Sequence, residues 1–241
     1  MSERGDYCSS DYSGTGEDWN CGLLSAASAL SLGGISIGHE ALLSRYHSLG
    51  FRIYEFGITS AHVALLIRTF GFAVTLRSYS NWLRALWKCK NDTRVSKELS
   101  SQQSKDALRA MKMLVTLGGR ISFPLRTERP SAGKVVSAIA KGRIVILCVD
   151  AESYYGIKED WNHYLVATAR KRSVPFRIID SLEHTGASHY PEWSEHLRLA
   201  RRFEWSTWSG DMIEIMRADC RARRHDCPST TNSAEPRSRQ G

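Results

Sequence analysis

The hydrophobic pattern of this chain changes character near its middle. Before about residue 142, apolar residues recur mostly at helical spacing, as in "NCGLLSAASALSLGG", "GHEALLSRYHS" and "TSAHVALLIRTF". After it, they form short runs separated by turns: "IVILCVD", "HYLVATARK", "PFRIIDS" and "DMIEIMR". Helices followed by closely spaced strands are typical of an α+β fold, here with N-terminal helices packed on a C-terminal antiparallel sheet.

Other segments complete the predicted organisation. We expect a strand at "FAVTLRS", polar helices between residues 78 and 117, a short helix at "SAGKVVSAIAKGR" and another near 192–202. Residues 1–216 would then form one catalytic domain. The segment 217–241 has six arginines, three acidic residues and almost no large apolar residue, so we predict a basic, disordered tail.

Composition limits the function classes. The 241 residues carry a formal charge of +8, which favours a polyanionic partner such as RNA. Six cysteines are scattered without a C-x-x-C pair, so we expect no metal, no cofactor and no disulfide framework. No apolar run approaches the ~18 residues of a membrane span, and the first residues lack the pattern of a signal peptide. These features predict a cytoplasmic protein that does not bind a membrane.

Cys21 stands where a polar, acidic segment gives way to a helix of small residues. The unpaired N–H groups and aligned peptide dipoles of a helix N-terminus favour the thiolate, the nucleophilic form of cysteine. Gly22 would leave room for the close approach of a substrate. The same position also suits a buried helix cysteine, so the interpretation depends on partners elsewhere in the chain.

Two such partners occur late in the sequence. His163 precedes the apolar strand of "HYLVATA", and Asp180 follows 17 residues later at the end of "FRIID". A base on one strand and a carboxylate at the end of its neighbour can form the relay that acyl transfer requires. We therefore predict that Cys21 is the nucleophile, His163 the acid and base, and Asp180 the residue that orients the imidazole.

The chain order of these residues is that of papain-like enzymes. The segments "DWNCGL", "HYLV" and "IIDSLEHTG" resemble motifs of papain-fold peptidases of the double-glycine leader-peptide type. A closer resemblance is to guanylylate cyclase domain-containing proteins, and it covers most of residues 17–216. This second resemblance also includes the segments "GITSAHVALLIRTFG", "VVSAIAKGRIVILCVD" and "GDMIEIM". These resemblances imply a papain-like fold.

The C-terminal layout is also similar to that of the fungal arginine-containing cyclodipeptide synthases. Their Asp-Asp-x-x-Glu motif corresponds here to a segment with Asp211 and Glu214, in which Gly210 replaces the first Asp. The resemblance implies a thiol enzyme that takes an arginyl group from its tRNA, passes it to a second aminoacyl group and closes a diketopiperazine. Its partners would be arginyl-tRNA and a second aminoacyl-tRNA, and the surplus of basic residues suits both.

Recognition of a guanidinium needs carboxylates. The candidates for this substrate-binding role are Asp211, Glu214, Glu17 and Asp18. Because Asp211 and Glu214 are three residues apart, an extended strand would point them to opposite faces, and only one could line a pocket. The alternative interpretation is that Asp211 and Glu214 do not bind substrate and are an acidic surface residue and a residue at the edge of the sheet.

A departure from the peptidase pattern bears on the reaction. Papain-like peptidases place a Gln six residues before the cysteine to help hold the oxyanion, and here that residue is Thr15. Thr15, Asn20 and the Cys21 N–H would be weaker donors for amide hydrolysis. An aminoacyl ester needs less oxyanion stabilisation, which favours acyl transfer. Two alternatives stay open: a cysteine peptidase or amidase, and a non-catalytic binding protein.

Overall fold

A computed structural model gives the fold. It describes residues 21–53, 57–88, 101–124, 132–150, 162–169, 177–180, 188–189 and 211–216. The helices are α1 (Cys21–Leu32), α2 (His39–Ser48), α3 (Ser60–Arg68), α4 (Asn81–Lys88), α5 (Gln102–Thr116) and α6 (Ala132–Ala140). The strands are β1 (Ala73–Arg77), β2 (Arg120–Ser122), β3 (Ile144–Asp150), β4 (Asn162–Thr168), β5 (Arg177–Asp180), β6 (Ser188–His189) and β7 (Met212–Met216).

The small and aliphatic residues of α1 allow it to pack closely into the interior. Leu23 and Leu30 are fully buried. The helix ends just before the pair Gly33 and Gly34, and Gly34 adopts a left-handed φ of 89°. The N–H of Ile35 then donates to the Leu30 carbonyl at 2.9 Å, which satisfies an otherwise unpaired acceptor at the helix end.

A histidine completes the N-terminal cap of α3. Thr59 is the N-cap residue, and its backbone N–H donates to Nδ1 of His62 at 3.3 Å. The His62 ring lies edge-on to Phe51, with 4.8 Å between ring centroids. Burial lowers the pKa of His62 to about 4, with Asp106 opposing the shift. His62 is therefore a neutral core residue at neutral pH.

Seven strands form one sheet in the order β2-β1-β7-β3-β4-β5-β6. The predicted α+β class is confirmed, but the sheet is neither wholly antiparallel nor wholly C-terminal. The first half of the chain supplies β1 and β2, and this pair is parallel. All other neighbours are antiparallel. The predicted helix near 192–202 and the predicted tail at 217–241 lie outside the described residues, and whether 1–216 is one domain stays a prediction.

The sheet separates two hydrophobic cores. The large core lies between one face of the sheet and helices α1 to α5. The small core lies on the other face, where α6 packs on side chains of β3, β4 and β5. Successive side chains of β7 point to opposite faces of the sheet. Ile213 and Ile215 enter the large core, and Met212 enters the small one.

Replacement of His62 by Gln should make the stability of the protein less sensitive to acid. The pKa of His62 is about 4 in the folded protein and has the ordinary value of 6.5 in the unfolded chain. Between these two pH values, His62 is protonated in the unfolded chain but neutral in the folded protein. Stability from this group is lost as the pH falls from about 6.5 towards 4, by about 2 to 3 kcal/mol. Gln can still accept the Thr59 N–H.

Urea unfolding of the wild type and His62→Gln between pH 7 and 4.5 measures the difference. The exposed His47 supplies the control variant His47→Gln, which should keep the wild-type pH dependence. If the free energy of unfolding of His62→Gln and of the wild type changed equally with pH, His62 would not be the acid-sensitive group.

Candidate active site

Antiparallel pairing brings the predicted histidine and aspartate together. His163 is the second residue of β4 and Asp180 the last of β5, where Leu165 pairs with Asp180. His163 Nε2 lies 2.7 Å from Asp180 Oδ1, and both side chains are fully buried. The carboxylate therefore fixes both the orientation of the ring and the position of one ring proton.

Cys21, the third predicted residue, lies close to the pair of His163 and Asp180. Cys21 is the first residue of α1 and is 7% exposed. It lies close enough to His163 to raise the pKa of the imidazole. Because Nε2 is held by Asp180, Nδ1 is the ring nitrogen left to face the sulfur. The structure therefore arranges the three residues in the order sulfur, imidazole, carboxylate.

The charge of His163 follows from these contacts. Burial by itself lowers the pKa of the imidazole, but the hydrogen bonds to Asp180 and Cys21 outweigh burial and raise the pKa to about 9. His163 is therefore an imidazolium at neutral pH. A cation beside a cysteine supports a nucleophilic sulfur and can later supply a proton to a leaving group.

A buried serine connects helix α1 to strand β4. Ser25 lies one turn after Cys21, and its hydroxyl donates to the carbonyl of Tyr164 at 2.9 Å. Tyr164 directly follows His163, and its own hydroxyl donates to the carbonyl of Ile58 at 3.1 Å. The backbone beside the imidazole is thus attached both to α1 and to the segment that precedes α3.

Gly22 lies in close contact with residues around the start of α3. A Cβ at this position would lie 2.7 Å from Cγ1 of Ile58 and 3.2 Å from Cγ2 of Val63. The missing side chain leaves room for the close approach of protein side chains near the start of α3. Gly22 therefore sets the spacing of α1 and α3, and this close packing helps to place Cys21.

Asp211 lies at the same end of the sheet in a buried polar cluster. Its carboxylate accepts from the Ser78 hydroxyl at 2.7 Å, from Ser60, and from the backbone N–H groups of Ser80 and Tyr79. Burial raises the pKa of Asp211 to about 6 against these hydrogen bonds. The group is thus mostly ionised at neutral pH and well supplied with donors.

A second thiol, Cys148, lies near both Asp211 and Cys21. Burial raises the pKa of Cys148 well above its ordinary value, and the nearby Asp211 and Cys21 act in the same direction. Cys148 therefore stays a neutral thiol and is not a competing nucleophile.

Glu214 occupies the other face of the sheet. Arg77 and Arg143 both donate to its buried carboxylate. Asp211 and Glu214 thus lie on opposite faces, as an extended strand requires, and Asp211 is the one near Cys148 and Cys21. The remaining predicted site residues, Thr15, Glu17, Asp18 and Asn20, lie outside the described residues.

Sequence reasoning did not identify the supporting contacts of Ser25 and Tyr164. Ser25 is four residues after Cys21, which places both on one face of α1, and Tyr164 adjoins His163. These spacings mark both residues as neighbours of the site. They do not show that one side chain would bind the other residue's backbone.

No protein-family model matches the chain, and no curated protein matches it. Within the described ranges, every helix is too short or too polar to cross a lipid bilayer. The same ranges contain no cluster of three or more His, Cys, Asp or Glu residues placed to hold a metal ion.

Replacement of Ser25 by Ala should slow the reaction of Cys21 with iodoacetamide. The change removes the hydrogen bond that connects α1 to β4, at a cost of about 1 kcal/mol, and allows the sulfur and the imidazole to separate. Alkylation rates, with the modified cysteine identified by mass spectrometry, report this geometry without any substrate.

Ser31→Ala is the matched control, since Ser31 lies on the same helix away from Cys21. It should leave the alkylation rate of Cys21 unchanged. The same rate in Ser25→Ala and the wild type would show that the Ser25 bond does not position the thiol.

Proposed function

We propose that the protein is a thiol-dependent acyltransferase with a papain-like fold, and that it is a tRNA-dependent arginine-containing cyclodipeptide synthase of the cytoplasm. The observation that carries the acyl-transfer part is the buried line of Cys21, His163 and Asp180. The motif resemblance and the formal charge of +8 support the choice of arginyl-tRNA and a second aminoacyl-tRNA as substrates.

The first half-reaction would load the enzyme. Cys21 Sγ attacks the carbonyl carbon of the arginyl ester, and the bond from that carbon to the ribose oxygen of the tRNA breaks. His163 gives its proton to the departing oxygen, while Asp180 holds the ring in place. The products are an arginyl thioester on Cys21 and a free tRNA. The Cys21 N–H, at the start of α1, is placed to stabilise the oxyanion.

The second half-reaction would form both amide bonds. The α-amine of the second aminoacyl-tRNA attacks the thioester, the C–S bond breaks, and neutral His163 accepts the amine proton. The arginyl α-amine then attacks the remaining ester carbonyl, which closes the six-membered ring. The second tRNA leaves with a proton from His163, and His163 then takes up the proton that the ring-closing amine loses. This step restores the imidazolium beside the free sulfur of Cys21.

Asp211 is the acid that we propose for the arginyl guanidinium. Its carboxylate shares the catalytic end of the sheet with Cys21, whereas Glu214 is engaged on the other face. A guanidinium could reach Asp211 by replacing one serine hydroxyl. The charge-assisted bond formed would be stronger than the neutral one lost.

Expression in a heterologous host should release arginine-containing diketopiperazines into the medium, as detected by mass spectrometry. Cys21→Ala should abolish them because no thioester can form. Cys148→Ala, which also removes a buried thiol, should retain them. Peptide cleavage that depends on Cys21, with no diketopiperazine, would favour a peptidase instead. A cellular phenotype that survives Cys21→Ala would favour a binding protein.

Asp211→Asn should raise the KM for arginyl-tRNA about tenfold or more, with a smaller effect on kcat, because it removes the charge that pairs with the guanidinium. Steady-state kinetics with purified arginyl-tRNA give both constants. Glu40→Gln, which removes an exposed carboxylate from the first turn of α2, is the control and should leave this KM unchanged. An unaltered KM in Asp211→Asn would exclude the proposed contact.

A further inference from the structure

One part of the sheet has no helix over it among the described residues. The small core under α6 includes side chains of β3, β4, β5 and β7, and none of its described members comes from β1 or β2. On this side β1 presents Thr75 and Arg77, because Val74 and Leu76 enter the large core. Thr75 pairs with Arg120, which is exposed. The uncovered strands therefore place two arginines on one surface.

Basic residues from α6 and the turn after it extend this surface. We use the name basic face for the surface formed by Arg77, Arg120, Lys134, Lys141 and Arg143. Glu214 is the acidic side chain that the structure describes within it, so the described charges of the face are strongly unbalanced. A surplus of this kind attracts a polyanion.

Glu214 gives the basic face a fixed geometry. Its carboxylate is 4% exposed and accepts hydrogen bonds from both Arg77 and Arg143, whose side chains are 36% and 24% exposed. One negative charge thus holds two guanidinium groups in place and neutralises only one. Arginines that are already ordered lose less conformational entropy when they bind phosphate.

The basic face begins at the catalytic end of the sheet. Lys134 Nζ lies 3.0 Å from the Tyr79 hydroxyl and 5.3 Å from the centre of the ring. The backbone N–H of Tyr79 donates to Asp211, in the buried cluster that adjoins Cys148 and Cys21. A nucleic acid bound along this face would therefore have one end close to the nucleophile.

We infer that the basic face binds the phosphate backbone of tRNA and thereby directs the acylated end towards Cys21. This inference rests on the proposed function for its partner and adds the surface that the partner occupies. Phosphate groups suit the face because guanidinium and ammonium groups bind them with directed, charge-assisted hydrogen bonds.

The test is the binding of an uncharged, fluorescently labelled tRNA transcript to the full chain, followed by anisotropy at several salt concentrations. The triple variant Arg120→Gln, Lys134→Gln, Lys141→Gln leaves the ion pairs of Glu214 intact. It should bind about tenfold or more weakly and lower the salt dependence of binding by about two to three ion equivalents. Thermal unfolding checks that this triple variant, and the control triple variant described below, remain folded.

The matched control is Arg45→Gln, Lys105→Gln, Lys112→Gln, which removes three exposed charges from helices over the large core. It should retain wild-type binding. Equal weakening in both triples, no tRNA binding by the wild type, or stronger binding to phosphatidylserine vesicles than to tRNA would overturn the inference. The transcript carries no amino acid, so this assay does not depend on catalysis. Binding of tRNA without diketopiperazine formation would refute the proposed synthase activity but not the proposed role of the basic face.

Discussion

The site depends on the buried pair of His163 and Asp180. A charged imidazolium with no exposed surface would be expelled from the interior or lose its proton if it lacked a compensating carboxylate. Asp180 supplies that charge at 2.7 Å, and the pairing of β4 with β5 supplies the distance. Removal of one partner of a buried ion pair costs about 3 to 5 kcal/mol, so the charge of His163 depends on the strand pairing that holds Asp180 beside it.

The sheet assigns different kinds of polar group to its two faces. The face beside the large core holds buried neutral donors, such as Ser25 and Ser78, together with the enclosed carboxylate of Asp211. The opposite face holds arginines that are paired but partly exposed, as Arg77 and Arg143 are. Low dielectric strengthens the hydrogen bonds of the first group, and contact with solvent leaves the charges of the second group accessible to anions.

The sequence was most informative where periodicity and chemistry coincide. The apolar runs placed His163 at the start of one strand and Asp180 at the end of another, and the small residues after Cys21 placed it at a helix start. The three-residue β2 and two-residue β6 have too few residues to show a period, and their pairing depends on contacts distant in sequence. The same limit applies to Glu214, whose partners Arg77 and Arg143 are identified only once β7 is known to lie between β1 and β3. The roles of Thr15, Asn20 and Asp18 remain predictions of the sequence alone.

The central position of β7 has a consequence for the order of folding. This strand is the last described element of the chain, yet it lies between β1 and β3 and joins the strands of the first half to those of the second. On a ribosome, β1 and β2 must wait until β7 has emerged before they can complete the sheet, so contact order is high and closure is late. Asp211, at the start of β7, reaches the cluster around Ser78 and Ser60 in that same step. A growing chain would thus complete the polar cluster of Asp211 only after every other described strand had been synthesised.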